Sequence, residues 1–167
     1  MAKDTTKVNL GHADVSFKGE SLGHIRGGVT VNLSKELAEA FVDDFGETAI
    51  FAVDNGTMLT VTVPMAQLTA DTLEVAYPYE NRVGDTIEIG QVAGGRSDAI
   101  AGELIVTPTA GAFAGQALTL YKAAVSESSD LVFSNGEQTV VEVTFKAYVD
   151  ETSESGVLGV FGPVSES

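Results

Sequence analysis

From Val29 to Ser34 the apolar residues Val29, Val31 and Leu33 alternate with Thr30, Asn32 and Ser34. That is the period of a strand with one face toward a core and one toward water. The same period runs through residues 57–63, where Leu59, Val61 and Val63 alternate with Thr60 and Thr62. Between Glu47–Val53 and Thr57–Val63 stands Asp54-Asn55-Gly56. Asn-Gly supplies the two positive-φ positions of a type I′ turn, so this pattern predicts a β-hairpin closed by Pro64. Upstream, residues 13–26 read as a short hairpin with Lys18-Gly19-Glu20 at its turn, and Gly27-Gly28 permits a sharp change of direction. Residues 37–44 fit helical and strand spacing about equally. Thr69 or Asp71 can N-cap a short helix that Tyr77-Pro78 ends. Further strands are expected around Ile87-Glu88-Ile89, over 99–108, over 117–125 and over 137–149, the last being the longest of the final three. In it Val141, Val143 and Phe145 alternate with Glu142, Thr144 and Lys146, which predicts a half-buried strand.

These elements give a mainly β fold, a β-sandwich or barrel with one short α-helix and extended loops or arms. The 167 residues suffice for one domain with its own core. Residues 1–11 read as an N-terminal arm, 12–150 as the domain and 151–167 as a C-terminal arm. The last contains an apolar island, Val157–Phe161, between Ser- and Glu-rich flanks. Such an island is too small for a core of its own and suits a peg for another surface.

Charge narrows the function. The net charge of −15 argues against a grip on nucleic acid, which requires clustered Lys and Arg. Five of the nine basic residues fall within 1–35, against three acids, and no Lys or Arg occurs between Lys35 and Arg82. This asymmetry permits electrostatic contact between copies of the chain. With no cysteine, disulfides and thiolate metal sites are excluded. His12 and His24 lack a third ligand motif, Gly94-Gly95-Arg96 lacks the helix signature of a phosphate loop, and Asp54-Asn55-Gly56 lacks the downstream ligands of a calcium loop. Asp43 and Asp44 would point to opposite faces of an extended strand and stand beside no nucleophile motif. No enzyme activity, cofactor or metal is expected. No apolar run approaches a membrane span or a signal-peptide core, so neither membrane contact nor a targeting segment is expected.

The order of a hairpin, Gly27-Gly28-Val29-Thr30-Val31, the turn Phe45-Gly46-Glu47, and Asn55-Gly56-Thr57 leading into Leu59–Pro64 resembles the major tail tube proteins of long-tailed, siphovirus-type bacteriophages. The likeness in pattern covers roughly residues 20–80 and continues loosely through Val149. It implies a subunit, made in the host cytoplasm, that closes as a hexameric ring whose inner sheets merge into one barrel. Stacked rings form the virion's tail tube, through which DNA passes without sequence-specific binding. Implied partners are further copies of the chain and the tape-measure, tail terminator and tail-tip proteins. Four inner strands from each of six subunits, spaced about 4.8 Å and tilted about 40°, give a backbone diameter of roughly 48 Å and a bore somewhat under 40 Å. Carboxylates on that wall would repel phosphate only near the surface, the Debye length being about 8 Å. Glu39, Asp43, Thr60 and Thr62 are the expected bore-facing positions. Lys3, Lys7, Val157, Leu158 and Phe161 are the expected contacts between rings. The rival reading is an immunoglobulin-like decoration or adhesion module on a virion or cell surface, of the same β-sandwich class.

Overall fold

The computed structural model describes residues 12–90, 93–111, 113–153 and 155–164. Strand β1 (Ala13–Phe17) turns into β2 (Glu20–Ser21) through Lys18 and Gly19, both at positive φ, as the sequence predicts. The chain continues through β3 (Thr30–Ala40) and β4 (Phe51–Met65), the capped helix α1 (Ala70–Ala76), and a small hairpin of β5 (Asn81–Val83) and β6 (Thr86–Glu88). A four-residue helical turn α2 (Ser97–Ile100), then β7 (Gly102–Pro108), β8 (Gln116–Ser128), β9 (Val141–Ala147) and β10 (Gly159–Pro163) complete it. All strands but β5 and β6 form one sheet in the order β2-β1-β7-β8-β9-β4-β3, with β10 also on β8. The fold is mainly β, as expected.

The sheet is not flat. The Phe17 and Phe145 rings, from β1 and β9, lie 5.1 Å apart, although β7 and β8 stand between those strands. Three steps along a flat sheet would separate them by about 14 Å. The sheet therefore curls until its halves face each other, in the manner of a sandwich, without closing as a barrel. Strand β8 allows this: two residues oppose one between Val125 and Glu127, and a second irregularity falls where Gly102 and Leu104 of β7 meet Ala123 and Leu120. Bulges of this kind bend a strand and sharpen its twist. Inside the curl lie Phe145, Leu22, Met65, Leu104 and Leu120, all fully buried. The half-buried pattern expected for residues 141–149 is found in β9, whose Val141, Val143 and Phe145 are core residues. At seven residues, however, β9 is shorter than the thirteen-residue β8, not longer, because its pairing ends at Ala147.

Helix α1 covers one end of the curl. Thr69 caps it reciprocally with Thr72, whose hydroxyl is buried and donates to the Gln67 carbonyl at 2.8 Å. Ser128 Oγ donates to the Ala76 carbonyl, and Tyr77 Oη to that of Ser129 at 3.3 Å, which ties the helix end to β8. The β5–β6 hairpin is held against α1 by the Arg82 guanidinium, 2.6 Å from Asp71 and 2.9 Å from Glu74. Hydrogen bonds to Glu74 and then Asp71 raise the pKa of that guanidinium.

One expectation fails at β4, and an open one is settled at β3. Asn55-Gly56 does not turn the chain: residues 51–65 are one fifteen-residue strand, and Asp54-Asn55-Gly56 forms a bulge within it. Glu36 opposes Gly56 and Leu37 opposes Asp54, leaving Asn55 as the extra residue. Gly56, at φ 136°, takes a conformation that suits glycine alone. Asp54 fixes the bulge by accepting from Gly56 N at 2.9 Å and from Lys35 Nζ at 2.7 Å. The reversal falls instead at residues 41–50, so the ambiguous 37–44 segment is strand through Ala40 and then a 3-10 turn, Asp43–Phe45. Pro64 sits just inside the end of β4, where β3 has already ended. Its carbonyl accepts from Arg26 N at 3.0 Å, on the edge of β4 that β3 has left.

Replacing Phe145 by Ala is expected to destabilise the fold by about 3–5 kcal/mol in urea unfolding, whereas Ile89→Ala, at an exposed position, should change it by less than about 0.5 kcal/mol. Bonding to Lys35 and then to Gly56 N lowers the Asp54 pKa. Its contribution to folding is therefore present above the unfolded-state value and lost as pH falls through the lowered one. An NMR titration should show Asp54 below an ordinary aspartate, and Lys35→Met should bring it upward.

Candidate assembly surface: the projecting ribbon

The pairing of β3 with β4 runs from Thr30↔Thr62 to Ala40↔Phe51, but β4 pairs with β9 only over Thr60–Met65. Beyond Leu59 the two strands thus continue as a ribbon with no third strand among the described residues. At about 3.3 Å per residue, Ser34–Ala40 carries it roughly 23 Å from the body. No residue of β3 is buried, and in β4 burial begins only at Leu59.

Alternation assigns the two faces. Val31, directly opposite the fully buried Val61, starts the row Val31, Leu33, Lys35, Leu37, Glu39 on the core side. Thr30, Asn32, Ser34 and Glu36 occupy the other side, with Thr60 and Thr62 opposite Asn32 and Thr30. The polar side continues onto β9, where Thr60 faces Lys146 and Thr62 Oγ1 lies 3.1 Å from Thr144 Oγ1. Glu39 therefore stands on the opposite face from Thr60 and Thr62, and Asp43 opens the 3-10 turn at the tip. The four expected bore residues do not share one surface of the ribbon. The carboxylates on the threonine side are those of Glu36, of Glu142 in β9 and, opposite Thr144, of Glu127 in β8.

The tip is apolar as well as acidic. Phe41, Val42, Phe45, Ile50 and Phe51 are all exposed, Phe45 by 64%, beside Asp43, Asp44 and Glu47. The backbone fixes them through Phe45 N to the Val42 carbonyl at 3.1 Å and Ile50 N to the Ala40 carbonyl at 2.9 Å. At the root of the ribbon, a groove of about 600 Å³ opens between its core-side face and the strands opposite, lined by Val31, Leu33, Leu59, Val106, Leu118 and Phe161. His12 stands at its edge. Neither feature is expected from the sequence, where Phe45-Gly46-Glu47 reads only as a turn. The close spacing of Phe41, Phe45, Ile50 and Phe51 was the available signal for the tip, whereas the groove depends on long-range pairing.

Among the expected ring contacts, Lys3 and Lys7 lie outside the described residues. The apolar island is placed against the chain's own sheet, with β10 pairing along β8 from Gly159↔Leu120 to Pro163↔Gln116. Leu158 packs on the core, while Val157 and Phe161 stay half exposed and Phe161 meets Phe113 edge-on at 5.6 Å. Among the described residues no group of three His, Cys, Asp or Glu side chains is placed to hold a metal ion, and no helix is long and apolar enough to cross a membrane.

No known family and no curated protein matches the chain by sequence. Solved structures do match it in shape. A chain of the sheath-tube complex of an extracellular contractile injection system, PVC, in its extended state aligns with a TM-score of 0.57 at 14% identity, over 98% of this chain and 100% of that one. The tube-terminating cap of the anti-feeding prophage aligns at 0.54 and 11%, over 87% and 89%. The PVC sheath/tube terminator in the extended state aligns at 0.51 and 15%, over 84% and 92%. At these identities the likeness establishes a shared fold, one found in tube-associated chains of contractile injection systems.

Proposed function

We propose that this protein is a structural subunit of a tail-tube-like assembly, whose copies join side by side into rings that stack around a channel. The observation that carries the reading is the ribbon, two long strands whose outer edges pair with no other strand among the described residues, with exposed apolar residues, attached to a well-packed body. A long open edge recruits further strands, and ring closure removes it. The shared fold supports the same reading, since the aligned chains come from sheath-tube and tube-terminating components. These likenesses are to contractile systems, so the proposal is broader than the long-tailed phage type that the sequence resembles.

On this reading the ring is hexameric, and the threonine side of β3, β4 and β9 faces the bore. Thr60 and Thr62 line it, Glu36 and Glu142 supply its carboxylates, and Glu39 turns toward a neighbour. Small hydroxyls and scattered carboxylates let DNA slide without a grip, where a basic wall would accumulate phosphate contacts. Lys3, Lys7, Val157 and Phe161 are the proposed contacts between rings, whereas Leu158 is engaged with its own core. The particle's tape-measure, terminator and tip proteins are the further partners, and the protein resides in the virion or a virus-like particle. A second reading, a ring that caps a tube, is favoured by the likeness to the cap and the terminator.

Negative-stain microscopy of the purified chain tests both. Added salt screens the net charge of −15 and should promote assembly. The expected result is stacked rings with a bore somewhat under about 40 Å. Single rings that never stack would establish the cap, and compact monomers at every salt concentration would overturn both.

A further inference from the structure

Among the described residues the ribbon tip and the groove at the ribbon's root are two apolar surfaces without a partner, and we propose that they are each other's partners in neighbouring copies. The tip, residues 41–51, seats Phe45 and the flanking Phe41 and Phe51 in the next copy's groove against Val31, Leu33 and Leu118. This rests on the assembly reading above and names the contact by which copies recognise each other.

Four observations lead to this occupant. The groove is open, its lining is largely aliphatic and aromatic, and at about 600 Å³ it has the capacity of a small-ligand pocket, room for several apolar side chains. The tip presents five exposed apolar residues on a backbone fixed by its own hydrogen bonds, so little ordering is required on docking. The ribbon projects roughly 23 Å from the root where the groove lies, and a tip at its far end cannot return to it, so the contact is between copies. Charge matches too: the tip carries Asp43, Asp44 and Glu47, while residues 1–35, which supply Val29, Val31 and Leu33 to the groove, hold five basic residues against three acids. Tip and groove are different patches, so the contact is head-to-tail. Each copy then offers both halves, which repeats from copy to copy until it closes or extends indefinitely.

The absence of native cysteine allows a direct test. The double variant Phe45→Cys with Leu33→Cys, treated with a short bis-maleimide, should give a ladder of covalent oligomers. The pair Phe45→Cys with Asn32→Cys, one residue away on the opposite face, should give none. Phe45→Asp, at an exposed position where the fold does not depend on the ring, should keep the native circular dichroism spectrum and lower the sedimentable fraction at least tenfold. If the wild type assembles, Phe45→Asp assembles equally well and the Leu33 pair does not cross-link, the tip-to-groove contact is wrong while the tube reading stands. If the wild type never assembles, both fall.

Discussion

The structure depends on one constraint: a single sheet has one apolar face, and this chain covers that face only part of the way. Where the sheet curls, β1 and β9 bring Phe17 against Phe145 and the apolar row is sealed. Along β3 the same row runs on through Leu33 and Leu37, which none of the described residues covers. A hydrophobic side chain left in water forgoes about 1.5–3 kcal/mol of burial. Repeated at Leu33, Leu37, Phe45 and Phe51, that deficit is a strong drive toward a partner. The body is thus a folded unit and the ribbon an unfinished one.

Two local devices produce this division. The bulges in β8 bend it far enough for β10 and β9 to follow one another along one edge while β7 holds the other. The bulge at Asp54–Gly56 does the opposite work in β4: it absorbs one extra residue without ending the strand and so lets the ribbon continue to Phe51. Lys35 on Asp54 pins the register there. Because register fixes which side chains share a face, this exposed pair has a reach beyond its own modest energy.

Much of the body was legible in the sequence because its signals are local. Lys18-Gly19 has the turn chemistry of a tight hairpin, Thr69 caps α1, and the alternation at Val141–Phe145 marks a half-buried strand whatever it pairs with. The ribbon was misread because its signals are ambiguous locally and settled at long range. Asn-Gly serves a type I′ turn and a bulge equally well, and the residues that follow it are β-formers in either case. The choice is made by β3, which offers eleven residues of matching alternation twenty positions upstream. The same ignorance of partner hid the face of Glu39. Thr60 aligns with Asn32, an even position, so every odd residue of β3 falls on the other side. The apolar island at 157–161 was visible, but its landing place on β8 was not, since half of it stays exposed and its pattern suits a foreign surface as well as its own.

Acidic charge shapes the account without deciding the fold. The surface holds copies apart at low salt, and the uneven distribution, basic near the N-terminus and acidic beyond Lys35, gives approach a direction. The central claim is that the ribbon is completed by other copies of the chain, and amide hydrogen exchange compared between dispersed and assembled protein tests it most directly. The account predicts that the outward-facing amides of Thr30–Ala40 and the outer edge of Phe51–Leu59, which no described strand pairs, exchange fast when dispersed and become protected on assembly, while β9 is protected in both. Equal exchange of the ribbon in the two states would contradict it.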